Sequence, residues 1–334
     1  MKVLVTTNPG LEDVCSEELK GLGLGIEKYY EGRVEAKWDG DLEELVWALE
    51  RSKTVHKAFA VFYEGKLEDM ELGWVKEFLT PMMTFAVRAE RIGEGIPSPE
   101  LASIVGQRVI EAIKESYGKA PSVNLDHPSV VVYAEQRFGK VRVGVLLTGE
   151  ESLHRRYYRV KEHMASLKPS IAYSMLKLGE AEEAERIVDP MCGSGTIAIE
   201  AVLGFAPPEV YCFDINKKYI KDAILNSKVA RVKELIAFGV HDARRLHEIV
   251  NEVDLIVTNP PYGIRMGSPK KVLRLYEKFF FSAHKALKSR GRIVMITPLE
   301  EAKALASKAG LALIHERQVY HGDLWARVFI FQRP

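Results

Sequence analysis

Asn259 follows a short apolar run and begins the tetrapeptide Asn259-Pro260-Pro261-Tyr262. The two prolines fix their φ angles and lack backbone N–H groups, so the segment is rigid and rich in acceptors. The Asn259 side-chain oxygen and the Pro260 carbonyl can each accept one hydrogen of a planar amino group, and Tyr262 offers a ring for stacking. We therefore predict that Asn259, Pro260 and Tyr262 are catalytic and position an exocyclic amine. An ordinary Asn-Pro turn is the alternative.

A glycine-rich loop, DPMCGSGT at residues 189–196, follows a second apolar run. Gly193 and Gly195 allow the backbone to turn sharply and to approach a ligand closely. Asp214 ends the next apolar run, nineteen residues after Gly195. That spacing suits a carboxylate that holds a ribose diol, so the loop predicts a nucleoside-containing cofactor.

The glycine-rich loop could bind either a dinucleotide or S-adenosylmethionine. Residues 193–198 formally match the dinucleotide pattern, but a carboxylate at Asp189 would repel a pyrophosphate and suits the ammonium group of S-adenosylmethionine. Asp242 can accept a hydrogen bond from an adenine amine; the alternative role for these acids is helix capping. We predict S-adenosylmethionine. The candidate cofactor-binding residues at these strand ends are Asp189, Pro190, Met191, Cys192, Gly193, Ser194, Gly195, Thr196, Asp214, Ile215, Asp242, Ala243 and Asn259.

The secondary structure that positions these residues can be predicted from residue 186 onward, where apolar runs typical of buried strands alternate with helical periodicity. This alternation predicts an α/β domain with an open, doubly wound, Rossmann-like sheet, in which ligands gather at the carboxyl ends of the strands. Two last strands, at 311–320 and 325–333, should form an antiparallel hairpin.

The first half has a mixed α+β pattern. Its longest helix is predicted over Ser98–Tyr117, with Ser98 as the N-cap and an apolar stripe through Leu101, Val105 and Ile113. A hairpin is predicted to turn at residues 138–140.

Composition narrows the class of protein. The chain of 334 residues is 47% hydrophobic and 28% charged, which is typical of a globular protein with more than one domain. It has no apolar run of membrane-spanning length and no secretion-signal pattern, so we expect a cytoplasmic protein without membrane partners. The three cysteines are widely spaced, which predicts neither a metal site nor a disulfide, with Cys15 and Cys212 as free thiols.

The glycine-rich loop and the Asn-Pro-Pro-Tyr segment resemble those of a known family. The segments DPMCGSG and NPPYG resemble motifs I and IV of methyltransferases that modify exocyclic or amide nitrogens. Residues 96–113, 129–159 and 167–176 resemble the THUMP-domain methyltransferases, most closely the archaeal and bacterial tRNA guanine-N2 enzymes. The resemblance covers nearly the whole chain, and it implies that Ser166 to Pro169, including Lys168, line the cofactor site.

The resemblance also implies a domain order and a substrate. It implies a ferredoxin-like domain at 1–52, a THUMP RNA-binding domain at 53–150, a linker at 151–166 and a methyltransferase domain at 167–334. The implied substrate is the guanine near position six in the acceptor stem of tRNA, with THUMP holding the single-stranded acceptor end. We expect the enzyme to be a monomer.

Basic and aromatic residues near the predicted site are consistent with an RNA substrate. Arginine and lysine can pair with phosphates, and Tyr157 and Tyr158 can stack on bases, although the net charge is only +1 and a solvated surface is the alternative. The candidate RNA-binding residues are Arg155, Arg156, Arg159, Lys161, Pro261, Tyr262, Gly263, Arg265, Lys270 and Lys271. Methylation of rRNA guanine or of another amino nitrogen, and a non-catalytic RNA-binding protein, are the competing hypotheses.

Overall fold

The computed structural model describes residues 1–162, 166–263 and 269–334, so Arg265 lies outside the described residues. The described residues form two compact units. The first contains Met1–Thr6, Leu19–Tyr29 and Arg33–Leu153, and the second contains Thr7–Glu18, Tyr30–Gly32 and His154–Pro334. None of the described helices is both long and apolar enough to cross a membrane.

The first unit is built on one eight-stranded sheet. Its strands are β1 (Lys2–Thr6), β2 (Gly25–Tyr30), β3 (Arg33–Lys37), β4 (Lys57–Gly65), β5 (Thr84–Ile92), β6 (Ser122–Val123), β7 (Val130–Arg137) and β8 (Lys140–Leu146). They lie in the order β2-β3-β1-β4-β8-β7-β5-β6. The sheet is thus continuous across the predicted boundary at residue 52, and the division into ferredoxin-like and THUMP domains stays a prediction.

Most of α1 (Glu12–Gly21) belongs to the second unit, whereas α2 (Leu42–Glu50) and α3 (Ser98–Tyr117) accompany this sheet. The predicted stripe of α3 is buried against the sheet. The predicted N-cap is one residue off: Pro97 occupies that position, and the Ser98 hydroxyl oxygen instead accepts a hydrogen bond of 3.1 Å from the Arg91 N–H. The β7–β8 hairpin turns at Phe138 and Gly139, as predicted.

The second unit contains a seven-stranded sheet. Its strands are β9 (Arg186–Asp189), β10 (Glu209–Asp214), β11 (Ala237–Val240), β12 (Val253–Thr258), β13 (Leu287–Thr297), β14 (Ala312–His321) and β15 (Leu324–Gln332). The order is β11-β10-β9-β12-β13-β15-β14, and every pair is parallel except those that involve β15. The predicted α/β class and the antiparallel last hairpin are therefore confirmed.

Helices cover both faces of this sheet: α4 (Pro169–Leu178), α5 (Thr196–Phe205), α6 (Lys217–Val229), α7 (Pro269–Ala286) and α8 (Glu301–Lys308). Side chains of the central strand β12 alternate between two cores. Leu255 and Val257 pack with α4 and α5, whereas Ile256 packs with Phe279 of α7. A strand that is buried on both faces needs a continuous apolar sequence, which explains the run that precedes Asn259.

Candidate active site

A cavity of about 500 Å³ opens at the carboxyl ends of β9, β10 and β12. The strand order reverses between β9 and β12, and such a reversal is where open α/β sheets bind ligands. Its walls include the predicted residues Asp189, Pro190, Met191, Cys192, Gly193, Ser194, Thr196, Asp214, Ile215, Asp242, Ala243, Asn259, Pro260 and Pro261. Ser166 and Leu167 also line it, as do five residues that the motifs do not indicate: Ile197, Asn216, Tyr219, Arg244 and Leu275.

The glycine-rich loop has the tight geometry that its sequence predicts. Gly193 and Gly195 adopt φ angles of 52° and 83°, in the region that favours glycine. A Cβ atom on Gly195 would lie 2.9 Å from that of Ala223 on α6. Gly195 therefore shapes the turn into α5 and lets α6 approach, although it is not itself part of the cavity wall.

The Asp214 carboxylate links this loop to the next strand. Its Oδ2 accepts from the Gly193 N–H at 3.0 Å, and its Oδ1 accepts from the Asn216 N–H at 2.8 Å. Each carboxylate oxygen retains further acceptor capacity, so a ribose diol is compatible with these bonds.

Asp189 is almost fully buried at the end of β9. Its Oδ1 accepts from the Thr258 hydroxyl at 3.0 Å and from the Met191 N–H at 3.2 Å. Burial, reinforced by the charge of Asp214, raises the pKa of Asp189 to about 8 in spite of these two donors. A buried carboxyl of this kind favours a cationic partner.

Asp242 has a capping role as well as a place in the cavity wall. Its Oδ1 accepts from the Arg244 N–H at 3.0 Å, which caps a 3-10 helix over Ala243–Glu248. The same carboxylate pairs with the Arg244 guanidinium, and this hydrogen bond lowers the pKa of Asp242. The capping alternative is thus present, and an adenine amine would share Asp242 with Arg244.

The predicted catalytic residues surround the end of β12. Asn259, Pro260 and Pro261 form part of the cavity wall. The Tyr262 hydroxyl donates to the Asn259 side-chain oxygen at 2.6 Å. The acceptor predicted for a substrate amine is therefore engaged by a neighbouring hydroxyl, and Tyr262 and Gly263 lie outside the wall.

A buried relay that the motifs do not indicate supports this loop. The Tyr276 hydroxyl on α7 donates to the Pro261 carbonyl at 3.0 Å and lies 3.0 Å from the Thr297 hydroxyl. The Leu299 N–H in turn donates to that Thr297 oxygen at 3.2 Å. Tyr276 and Thr297 are fully buried, so α7 and the end of β13 fix the position of the proline pair.

Lys168 and Pro169 were expected to line the cofactor site, but they do not lie in the cavity wall. They begin α4, Lys168 as its N-cap and Pro169 in its first turn. Ser166 and Leu167, which precede them, do line the cavity.

The cysteine prediction was wrong for two of three residues. Cys192 and Cys212 form a disulfide with a Cα–Cα distance of 5.5 Å, because adjacent parallel strands bring the loop beside β10. Cys15 is buried and its thiol lies outside this disulfide, as predicted. Among the described residues, no group of three His, Cys, Asp or Glu side chains is arranged to hold a metal ion.

The basic segment from Arg155 to Lys161 is only partly available to RNA. Tyr158 is fully buried and donates to Glu200 Oε1 at 2.6 Å, and Arg156 pairs with the same oxygen at 3.2 Å, so the stacking role predicted for Tyr158 is wrong. Arg159 is largely buried and pairs with Glu162. The side chains that remain exposed are those of Arg155, Tyr157, Lys161, Lys270 and Lys271.

The fold and the cavity define a class I, S-adenosylmethionine-dependent methyltransferase domain. A family model described as UPF0020, RMKL-like, methyltransferase domain, matches residues 156–327, and a THUMP domain model matches residues 74–146. The chain belongs to the UPF0020 methyltransferase family and carries a THUMP domain.

Relatives match nearly the whole chain. A tRNA (guanine(6)-N2)-methyltransferase of Archaeoglobus fulgidus is 32% identical, covering 99% of this chain and 92% of the relative. The enzyme of the same name from Thermus thermophilus is 34% identical, with 98% of both chains covered. The crystal structure of TrmN from Thermus thermophilus matches with a TM-score of 0.80 and 32% identity, covering 100% of this chain and 99% of that one.

Proposed function

We propose that this protein transfers a methyl group from S-adenosylmethionine to the N2 amine of the guanine at position six of tRNA, giving N2-methylguanosine. Relatives that span nearly the whole chain are named for this reaction, and the THUMP match supports an RNA substrate. We further propose that the THUMP domain holds the single-stranded acceptor end, and that the enzyme acts as a cytoplasmic monomer.

The residues around the cavity fit the proposed cofactor. The buried Asp189 carboxyl suits an ammonium group, Asp214 suits a ribose diol, and Asp242 suits an adenine amine. The backbone turn at Gly193 allows a ligand to approach the main chain closely. The cofactor supplies an electrophilic methyl group on a sulfonium, so the reaction needs alignment of the attacking amine more than a strong base.

Asn259 and Pro260 supply that alignment. The Asn259 side-chain oxygen and the Pro260 carbonyl accept the two hydrogens of the amine, which orients the nitrogen lone pair toward the cavity. These acceptors also stabilise the positive charge that develops on the nitrogen as the new bond forms. The Tyr276 hydroxyl, through the Pro261 carbonyl, keeps this pair of acceptors in place.

A guanine in the acceptor stem must leave its base pair to reach these acceptors. Its N2 lies in the shallow groove of A-form RNA, and extrusion of the base exposes it to the enzyme. In the proposed complex the Tyr262 ring stacks on the base, and its hydroxyl leaves the Asn259 oxygen to the amine. Lys270 and Lys271 at the start of α7 are exposed and can contact flanking phosphates.

The observation that carries the proposal is that Asn259 and Pro260 share one cavity wall with Asp189 and Asp214. The test is labelled methyl transfer to a tRNA transcript by wild type, Asn259→Ala and the surface control Asn251→Ala. We expect Asn259→Ala to lower kcat by roughly 10²- to 10³-fold with near-normal tRNA affinity, and Asn251→Ala to behave as wild type. Full activity of Asn259→Ala, or label in rRNA and none in tRNA, would contradict the proposal.

A further inference from the structure

The β14–β15 hairpin extends past the carboxyl end of its neighbouring strand. Thr297, the last residue of β13, pairs with Arg327, so the three preceding residues of β15 continue beyond β13. At about 3.4 Å per residue, the overhang is roughly 10 Å. Thr258 pairs with Met295, which puts the residues that follow β12 at the same edge of the sheet. The hairpin tip therefore lies at the same edge of the sheet as the Asn259-Pro260-Pro261-Tyr262 segment, here called the catalytic loop, about two strand spacings from β12.

Two exposed aromatic side chains lie opposite each other on this overhang. Tyr320 pairs with Trp325 across the hairpin, and their ring centroids are 5.4 Å apart with an interplanar angle of 61°. Their exposed fractions are 37% for Tyr320 and 56% for Trp325. Rings this large normally contribute most when they are buried, so their exposure on one surface suggests a binding role.

The aromatic pair faces the same side of the sheet as the support of the catalytic loop. Val319 and Ala326 pack in the core formed with α4 and α5. The alternation of side chains along a strand therefore directs Tyr320 and Trp325 to the opposite face, where Tyr276 and Phe329 pack with α7.

The tip is held in place from two directions. Gly322 and Asp323 form the tight turn with φ angles of 55° and 66°. At the outer side of β14, the Tyr320 N–H donates to the Pro9 carbonyl at 3.0 Å, and a Cβ on Gly10 would lie 2.0 Å from the Gln318 carbonyl oxygen. A pre-ordered surface binds a partner with little loss of conformational entropy.

Positive charge lies on the other side of the same tip. Burial lowers the pKa of His321 to about 4, and the charges of Lys168 and Arg159 lower it further in the same direction. Asp323 and Glu162 offset part of this charge. The rings and these two cations thus lie on opposite sides of the tip, so Tyr320 and Trp325 alone supply its surface for a base face.

We propose that Tyr320 and Trp325 form a stacking surface for an unpaired nucleotide of the RNA substrate, next to the guanine that enters the catalytic loop. The inference rests on the proposed function. Extrusion of the target guanine leaves its former pairing partner unstacked, and the hairpin tip stands at the edge where that disrupted pair must lie. Stacking tolerates any base, so it does not require a particular sequence.

The test compares Trp325→Ala, Tyr320→Ala and Trp325→Phe with Trp47→Ala, a control for an exposed tryptophan on α2 of the first unit. We expect both hairpin alanine variants to weaken affinity for a tRNA transcript and raise its KM by about tenfold. Trp325→Phe should retain most of the affinity, and Trp47→Ala all of it. Calorimetry with S-adenosylmethionine should give unchanged affinity in every variant, which verifies the fold.

Unchanged tRNA affinity and KM in both alanine variants would overturn the inference. Sedimentation of the free protein tests whether a second copy of the chain, instead of RNA, covers the two rings. A wild-type dimer that Trp325→Ala dissociates would assign the rings to that dimer contact and would also overturn the inference. If the wild type binds tRNA but transfers no methyl group to it, the proposed function fails, while the affinity comparison still decides the role of the hairpin.

Discussion

The Tyr262 hydroxyl donates a hydrogen bond of 2.6 Å to the Asn259 side-chain oxygen, which is the acceptor that the proposed reaction assigns to the substrate amine. The catalytic loop thus satisfies its own acceptor before RNA arrives. The proposed mechanism gives Tyr262 two roles: its hydroxyl protects Asn259 in the free enzyme, and its ring stacks on the base in the complex.

Tyr262→Phe separates these two roles. The ring remains, but Asn259 loses a bond that the proposed mechanism breaks when RNA binds, and such a bond contributes about 0.5–1.5 kcal/mol. We expect the KM for tRNA to fall by roughly two- to tenfold with kcat within about threefold of wild type. Tyr262→Ala should instead lower kcat and raise KM. Steady-state kinetics with a tRNA transcript decide the point, and equal losses in both variants would refute the protective role of the hydroxyl.

Tyr276→Phe tests the relay that supports the proline pair. The phenylalanine fills the same space but leaves the Pro261 carbonyl without its 3.0 Å donor, so the acceptors lose their alignment. We expect kcat to fall by about tenfold with unchanged affinity for S-adenosylmethionine, because a small misplacement costs mainly in the transition state. Thr297→Val removes the other end of the relay, so its kcat should also be lower than that of the wild type. A normal kcat together with a lowered melting temperature would mean that Tyr276 is only structural.

Cofactor affinity should depend on pH through Asp189. Its pKa of about 8 lies above the ordinary value of 3.8, so the carboxyl is protonated at pH 6 and ionised well above pH 8. An ammonium group prefers the ionised form. The affinity for S-adenosylmethionine should therefore rise by up to tenfold per pH unit toward pH 8 and then level off, with proton release below that pH. Calorimetry in buffers of different ionisation enthalpy measures both effects, and Asp189→Asn should abolish them. A flat profile in the wild type would show that Asp189 does not pair with the cofactor.

The disulfide should stabilise the fold around the cofactor loop. It links residues 20 positions apart, for which the loop-entropy model gives roughly 3 kcal/mol. We expect the Cys192→Ser, Cys212→Ser double variant to melt at a lower temperature than the oxidised wild type and to match the reduced wild type. Thiol titration of the unfolded, oxidised protein should find only Cys15. Three reactive thiols in that titration would contradict the pairing.

Much of the second unit could be predicted because its signals are local. Buried parallel strands require apolar runs, and the acids and Asn259 follow those runs directly, so the edge of the sheet that holds the site can be inferred from order alone. The roles of the individual wall residues, in contrast, stay predictions that the variants above address.

Other features depend on contacts between distant segments, which spacing does not reveal. The disulfide joins Cys192 and Cys212 only because β9 and β10 are neighbours. Tyr276 looks like any aromatic residue on the buried face of a helix, and its hydroxyl gains a role only where Pro261 and Thr297 meet it. Tyr158 lies in a basic, polar segment that predicts exposure, yet its side chain is buried because its hydroxyl donates to Glu200.

Methyl transfer to the guanine N2 at position six can be tested with two tRNA transcripts that differ by one amino group. One carries guanosine at position six and the other carries inosine, which lacks only the exocyclic N2. Each is incubated with the enzyme and S-adenosylmethionine, then digested to nucleosides for mass spectrometry. We expect N2-methylguanosine from the first transcript and no methylated nucleoside from the second. Equal methylation of both transcripts would show that the enzyme acts on a different atom or position, and would contradict the role assigned to Asn259 and Pro260.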